Sequence, residues 1–222
     1  DLDARAQDAA VAAAAPGRRK VVLATALAES SLTIDGIQVV IDAGWSRVSR
    51  FDPSTGLARL LTEKAAVAQA DQRRGRAGRL GPGVCWRLWT AVDQQRRPLQ
   101  PTPEILGSDP APLALELALW GAAEGEELAF LDPPPQGPLL QARLLLQELG
   151  ALFPNGQPTP RGRSMAALGL HPRLGAMVLR ATDLELPATE LGLPPLPSEQ
   201  RQALACVIAA LLGERDPLRQ DA

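Results

Sequence analysis

The first hundred residues alternate short apolar runs with polar segments, whereas later residues repeat apolar positions at helical spacing. Two runs rich in β-branched residues, 21–25 and 37–44, have the length and composition of buried strands in a parallel sheet. A third run at 83–89 predicts another strand. The Ala-rich stretch 3–15 stops at a Pro-Gly pair and predicts a short helix. The pattern therefore predicts a mixed α/β region at the start of the chain.

A hairpin is predicted between the second and third of these strands. Residues 45–51 and 57–62 flank a five-residue loop with Pro followed by Gly, which is a turn signal. The arms carry basic side chains, which are Arg47, Arg50, Arg59 and Lys64. A protruding basic hairpin suits the phosphates of a nucleic acid. These residues alone leave open an ordinary surface hairpin decorated with charges.

Three prolines between 98 and 103 mark a linker to a second, mostly helical region. This region is interrupted by a small β-wing whose turn is Asn155-Gly156. Helices are predicted at about 111–123, 137–150, 161–169, 171–182 and 198–213, and the wing at 152–160. Helix, helix and wing form the outline of a winged-helix domain.

Composition narrows the class of protein. Hydrophobic residues make up 45% of the chain but aromatic residues only 3%, so the core must come from Leu, Ala and Val. No signal peptide and no apolar run of membrane-spanning length occurs, which predicts a cytoplasmic protein without a membrane partner. Cys85 and Cys206 lie far apart, so we expect two reduced, buried thiols and no metal site. His171 has no Cys or carboxylate cluster near it in sequence, which argues against a catalytic role.

Charge is unevenly distributed along the chain. Residues 1–100 carry 15 basic and 10 acidic groups, net +5, whereas residues 101–222 carry 8 and 15, net −7. The positive half is the candidate for binding a polyanion. A winged helix in the acidic half lacks the basic groups that DNA binding requires. The charge therefore argues against a non-catalytic winged-helix protein that binds nucleic acid, while a non-catalytic scaffold module stays open as an alternative function.

The densest positive charge lies in residues 72–79, Gln-Arg-Arg-Gly-Arg-Ala-Gly-Arg, preceded by Asp71, which suits the first turn of a helix. On a helix, Gln72, Arg76 and Arg79 share one face because they are four and then three residues apart. The two glycines remove bulk, so a backbone or a phosphate can approach closely. The residues expected to face the core are Ala77 and Leu80. Because Arg binds phosphate oxygens bidentately and stays charged, the stripe predicts a phosphate site rather than a solvated basic helix.

The polar loop 25–36 follows the first predicted strand. Ligands of open α/β sheets bind at the carboxyl ends of strands. The hydroxyl groups of this loop and the carboxylate of Asp35 are therefore placed to meet a ligand.

Together these motifs resemble the second RecA-like lobe of superfamily 2 helicases of the DEAH/RHA class. Residues 25–36 resemble motif V of that family, and residues 72–79 resemble motif VI. The intervening hairpin is similar to the family's strand-separating hairpin, and residues 103–182 are similar to its winged-helix region and the start of its ratchet domain. Residues 209–218 resemble the bacterial HrpB type. The resemblance implies an α/β fold: a partial RecA-like parallel sheet with helices and a hairpin, followed by a mostly α winged-helix and helical region.

By this resemblance, the chain is part of an ATP-dependent RNA helicase, in which ATP and Mg²⁺ lie between two RecA-like lobes. Two arginine fingers and a glutamine would reach the β- and γ-phosphates, and these are Arg76, Arg79 and Gln72. Three loop residues would bind the nucleotide and its magnesium-bound water, namely Ser31, Thr33 and Asp35.

The resemblance also implies contacts with the backbone of single-stranded RNA, with DNA as the alternative. Thr25 would make one such contact at the end of its strand. Hairpin arginines would add others, namely Arg47, Arg50 and Arg59. Ala26 stands where the family usually has a backbone-contacting Asn. Gln69 stands where Ser commonly precedes motif VI, and loss of a Ser cap there would cost about 1 kcal/mol.

Two motifs of such helicases do not occur in these 222 residues: the phosphate loop Gly-x-x-x-x-Gly-Lys-Ser/Thr and the run Asp-Glu-x-His. By resemblance both belong to the first lobe. We therefore expect a fragment that is inactive alone and whose partner is the N-terminal lobe of the same protein. Its predicted domains are a partial second lobe at 1–97, a winged helix at 98–170 and the start of the ratchet domain at 171–222.

Overall fold

The computed structural model describes residues 4–25, 29, 34–122, 125, 127–183 and 196–213. The chain divides into two compact units, residues 1–107 and residues 108–222. Within the described ranges, no helix combines the length and the apolar character needed to cross a bilayer.

The first unit combines helices with two small sheets. Its elements are α1 (Ala4–Val11), β1 (Val39–Asp42), β2 (Trp45–Asp52), β3 (Leu57–Lys64), α2 (Val67–Ala77), β4 (Val84–Arg87), α3 (Ala91–Gln95) and a 3₁₀ turn (Glu104–Leu106). Strands β1 and β4 pair in parallel, with Val39 opposite Val84 and Asp42 opposite Arg87. The predicted α/β class with a parallel sheet is confirmed by this pairing.

The prediction of a buried strand at 21–25 is wrong. These residues form no strand, and the side chains of Val21 and Leu23 are 86% and 96% exposed. A β-branched run indicates a segment that fits a pleated, half-buried surface, but it does not supply the neighbouring strand. The second and third predicted strands exist as β1 and β4, although Ile41 and Trp86 within them are exposed rather than buried.

The predicted hairpin is confirmed, with arms that extend slightly further than expected. Strands β2 and β3 pair antiparallel from Trp45 opposite Lys64 to Asp52 opposite Leu57. The turn is built on Asp52, whose carboxylate accepts hydrogen bonds from the backbone N–H of Ser54 at 3.0 Å and from its hydroxyl at 2.6 Å. Such Asx turns are favoured by Asp at this position.

Helix α2 carries the arginine-rich motif, but its limits differ from the prediction. It begins at Val67, so Asp71 is its fifth residue rather than part of the first turn. Gln69 compensates for the absent Ser, because its side-chain oxygen accepts a hydrogen bond from the N–H of Ala66 at 2.9 Å. The helix ends at Ala77, so Arg79 lies beyond it and does not share a helical face with Gln72.

The buried face of α2 contains two alanines, Ala70 and Ala77. Leu80 is exposed, so the expectation that it faces the core is wrong. A close approach fixes the return to β4. A Cβ on Gly83 would lie 2.1 Å from the carbonyl oxygen of Ala77, so only glycine lets the chain start β4 against the end of α2.

The described residues of the second unit are mainly helical, with an antiparallel β-bridge between Leu152 and Pro158 within the predicted wing. Its helices are α4 (Ala111–Trp120), α5 (Gln136–Glu148), α6 (Pro160–Ala167), α7 (Pro172–Arg180) and α8 (Ser198–Gly213). Each lies within a few residues of its predicted range. The core is built mainly from Leu and Ala, as expected, with Leu139, Leu146 and Met165 fully buried. Cys206 on α8 is exposed and Cys85 on β4 is half-buried, so the expectation of two buried thiols is wrong.

Candidate functional site

A cavity of about 630 Å³ in the first unit brings together the arginine motif and the loop after residue 25. Its apolar wall comes from residues 21–24 and from β1. Its polar lining comes from the guanidinium groups of Arg73, Arg76 and Arg79, together with Glu29 and Thr25. The cavity therefore combines positive charge with an apolar wall.

Arg73 bonds to two carboxylates, a carbonyl group and a hydroxyl group. Its guanidinium lies 3.0 Å from Glu29 Oε2 and 3.0 Å from Asp42 Oδ1. It also donates to the carbonyl of Trp45 at 3.1 Å and to the hydroxyl of Ser46 at 2.7 Å. The side chain of Asp42 is 3% exposed and that of Arg73 is 15% exposed, so water screens this pair little. Arg73 therefore fixes α2 to the end of β1 and the start of β2.

Glu29 also holds Arg76, through its backbone. Arg76 donates from Nε to the Glu29 carbonyl oxygen at 3.0 Å, and Nη2 donates to the same oxygen. One residue of the loop thus binds two arginines of α2, by its carboxylate and by its carbonyl. Glu29 is thereby fixed against the arginine motif.

The other predicted nucleotide-binding residues are placed differently. Arg79 is exposed just after α2 and lines the cavity, whereas Gln72 is exposed and does not line it. Asp35 is exposed in a turn, and its neighbours Ile34 and Ile37 reach the cavity instead. Two further predicted residues, Ser31 and Thr33, lie outside the described residues.

Gly75 and Gly78 have open space beside them. A Cβ at either position would meet nothing within 4 Å apart from neighbouring backbone. Gly75 lies inside α2, where glycine is about 1 kcal/mol less favourable than alanine. Packing within the described part of the chain does not require either glycine.

Two of the three hairpin arginines are paired with carboxylates of the hairpin itself. Arg50 lies 3.2 Å from Glu63, and Arg59 lies 3.2 Å from Asp52. Hydrogen bonds from Ser54, with the positive charge of Arg59, hold the pKa of Asp52 below its ordinary value. Arg47 is exposed and has no ion pair among the described residues, so its positive charge is the one available to an external anion.

The residues of the cavity fit phosphate groups better than a metal ion. Guanidinium groups match phosphate oxygens in charge and geometry. In the part of the chain that the structure describes, no three His, Cys, Asp or Glu residues lie close enough to hold a metal ion. Arg76 and Arg79 thus give the cavity positive charge that suits an anion, whereas the described residues supply no cluster for a metal ion.

Sequence reasoning missed the structural role of Arg73. The signal was present, because Arg73 lies three residues after Ala70 and four before Ala77, which are both buried. Residues at this spacing share a helix face, so Arg73 had to point inward. Sequence reasoning also missed that Asp42 and Glu29 are the partners of Arg73, because spacing along the chain carries no signal for such pairs.

Comparisons with known proteins agree with this arrangement. Residues 1–81 match the family described as the helicase conserved C-terminal domain. The chain is 47% identical over 183 residues to the ATP-dependent RNA helicase HrpB of Escherichia coli strain K12, covering 82% of this chain and 22% of that protein. It is 42% identical over 172 residues to the pre-mRNA-splicing factor ATP-dependent RNA helicase prp22 of Schizosaccharomyces pombe, covering 77% of this chain and 15% of that protein.

Solved structures give the same result. Two crystal structures from E. coli, described as the DExH-box NTPase HrpB and as the DEAH/RHA helicase HrpB, match with TM-scores of 0.82 and 0.84. Both matches cover 99% of this chain, at 43% and 42% identity, but only 25% and 26% of the matched chains. The chain thus spans about a quarter or less of each relative. By sequence and by fold, the chain is similar to the DEAH/RHA helicase HrpB, and its residues 1–81 match the helicase conserved C-terminal domain.

Proposed function

We propose that this chain is part of the motor of an ATP-dependent RNA helicase and supplies the arginines that act on ATP bound by another lobe of the same protein. The observation that supports this most directly is the shared cavity, which Arg76, Arg79 and the loop containing Glu29 line together. The relatives named above are ATP-dependent RNA helicases. The winged-helix assignment of residues 98–170 and the cytoplasmic location remain predictions of the sequence.

The two arginines have different parts in this proposal. Arg79 is exposed beyond the end of α2, and in this proposal it contacts a phosphate outside this chain. Its fixed charge would stabilise the negative charge that spreads over the transferred phosphoryl oxygens, an effect worth about 10³–10⁵ in rate. Arg76 already donates to the Glu29 carbonyl, so it would link that phosphate contact to the loop. ATP supplies the phosphoanhydride bond that is cleaved.

The open space at Gly75 and Gly78 fits the same proposal. Gly75, inside α2 and without an internal packing role, lowers the stability of the arginine segment. A ligand or a second lobe that approaches the backbone closely would give both glycines a role. The RNA contact is assigned to Thr25 and to Arg47, since Arg50 and Arg59 are paired internally. Single-stranded RNA is the proposed substrate, with DNA as the alternative.

The test uses the full-length protein with Arg79→Ala. We expect RNA-stimulated ATP hydrolysis to fall by about 10³-fold or more while RNA affinity stays close to that of the unmodified protein. Arg74→Ala is the matched control, because Arg74 is exposed on α2 and does not line the cavity. Near-normal turnover in Arg79→Ala would remove the arginine-finger assignment. The purified 222-residue chain is expected to show no steady ATP turnover.

A further inference from the structure

Arg97 is a buried charged side chain whose strongest contacts are not carboxylates. The residue is 7% exposed, and its guanidinium stacks on the ring of Trp89 at 4.0 Å from the ring centroid. Within the described ranges it makes no ion pair within salt-bridge distance, and its Nε has no hydrogen-bond partner. A buried guanidinium is costly unless other contacts compensate. The other contacts of Arg97 must therefore offset the cost of burying its charge.

Those contacts lie at the root of the hairpin. One nitrogen, Nη1, donates to the carbonyl oxygen of Gly44 at 2.8 Å and to that of Ala65 at 2.8 Å. Gly44 immediately precedes β2 and Ala65 immediately follows β3, and the two are also joined by a backbone hydrogen bond of 2.9 Å. Arg97 therefore binds both strands where they leave the rest of the unit.

Arg97 and Trp89 pack so closely against Gly44 that no side chain fits there. The φ of Gly44, +77°, lies in the left-handed region, and a Cβ there would lie 2.4 Å from Arg97 Nη2 and 2.6 Å from the ring of Trp89. Only glycine allows both the turn and the contact. On the exposed side of the same root, Lys64 bonds Asp93 at 2.8 Å, which is a weaker restraint because water screens it.

A chain of contacts leads from this root to the arginine helix. Arg87 on β4 lies over the ring of Trp89 at 5.6 Å from the centroid, and it pairs with Asp71 on α2 at 2.5 Å. Trp89 is itself oriented by a hydrogen bond from its indole N–H to Gln94 at 2.8 Å. The hairpin root, Trp89 and α2 are thus joined by direct contacts.

We propose that Arg97 is a positioning residue that fixes the hairpin root relative to the arginine helix, so that changes at the ATP site move the hairpin. This inference rests on the helicase function proposed above. It assigns Arg97 no contact with ATP or RNA. Its effect is to couple ATP hydrolysis to strand separation, not to accelerate hydrolysis.

The test compares Arg97→Met and Arg97→Lys in the full-length protein, with Arg96→Met as control because Arg96 is the exposed neighbour. Met keeps part of the stem but no donor, and Lys keeps the charge and a donor without the planar stack. We expect RNA-stimulated ATP turnover within about twofold of the unmodified protein, and a loss of about five- to thirtyfold in base pairs separated per ATP for Arg97→Met. Arg97→Lys should recover part of that loss, and Arg96→Met should show none.

An unchanged ratio of strand separation to ATP turnover in both Arg97 variants would overturn the proposal. This includes a parallel fall in turnover and separation, which is the signature of general destabilisation. If Arg97→Met does not fold, as judged by circular dichroism, Arg97→Lys carries the test with an expected loss of about twofold or more.

Hydrogen exchange in the 222-residue chain separates this inference from the proposed function. Arg97→Met should speed exchange of the β2–β3 amides about tenfold or more, and leave that of the β1–β4 amides unchanged. If the full-length protein shows no RNA-stimulated ATP turnover, the proposed function fails, but this exchange result still decides whether Arg97 holds the hairpin root. Unchanged exchange in β2–β3 would refute that role.

Discussion

Replacement of Arg73 by Met removes a cation that holds two carboxylates and leaves Asp42 buried. In Arg73→Met, the Asp42 carboxylate, 3% exposed, keeps the backbone N–H of Gly44, at 2.8 Å, as its donor among the described residues. Removal of one partner from a buried ion pair typically costs about 3–5 kcal/mol, because the remaining charge is uncompensated. A unit of this size is stable by about 5–10 kcal/mol. We therefore expect the first unit to lose about half of its stability.

The measurement is urea unfolding of the 222-residue chain, followed by tryptophan fluorescence. Three of the four tryptophans lie in the first unit, and Trp120 in the second is largely exposed, so the signal reports mainly on the first unit. Arg74→Met is the control, since Arg74 is 63% exposed and its 3.5 Å pair with Asp71 should contribute at most about 1 kcal/mol. Asp42→Asn combined with Arg73→Met should recover part of the loss. A change below about 1 kcal/mol in Arg73→Met would refute the reasoning.

Three further predictions follow from individual contacts. Gly75→Ala should stabilise the 222-residue chain by about 0.5–1 kcal/mol in urea unfolding, since its Cβ meets open space, yet lower ATP turnover of the full-length protein; a destabilised chain would contradict this. Arg47→Ala should reduce the slope of log affinity for single-stranded RNA against log salt by about 0.7, measured by fluorescence anisotropy, whereas Arg59→Ala, paired with Asp52, should change it less. Burial alone would raise the pKa of Asp109, but hydrogen bonds from His171 and the N–H of Ala111 outweigh it and hold the pKa below its ordinary value. The ionised carboxylate of Asp109 therefore stabilises the chain above about pH 4, and this stabilisation is lost as the pH falls through the lowered pKa. The difference in stability between the unmodified chain and Asp109→Asn should thus narrow on acidification. A constant difference in urea unfolding from pH 7 to pH 3 would contradict this.

Local sequence signals predicted the elements whose structure is itself local. The hairpin followed from Asp52-Pro-Ser-Thr-Gly56, because the turn bonds to its own Asp. The helices of the second unit followed from apolar spacing, because that spacing builds their buried faces. The strand at 21–25 could not be judged in this way, since a strand also needs a partner whose position depends on the rest of the fold.

The candidate site was predicted in outline but not in its contacts. The motif identified the arginine helix, yet it could not show that Arg73 faces Asp42 or that Arg97 lies under the hairpin, because these pairs are 31 and 53 residues apart. Arg79 was expected on the same helix face as Gln72, and this expectation failed for a more local reason. The helix ends at Ala77 with Gly78 as its C-cap, and one residue beyond the cap is enough to redirect a side chain.

The hairpin is long enough to convert a small rotation at its root into a large displacement of its tip. Each arm contains eight residues, which at about 3.4 Å per residue makes it roughly 27 Å long. If the arm is stiff and pivots at Gly44 and Ala65, a tilt of about 10° carries its tip roughly 4–5 Å, whereas one nucleotide of a duplex strand occupies about 3.4 Å of axis. A small rotation transmitted through the hairpin root would therefore move the tip by more than the length of one nucleotide.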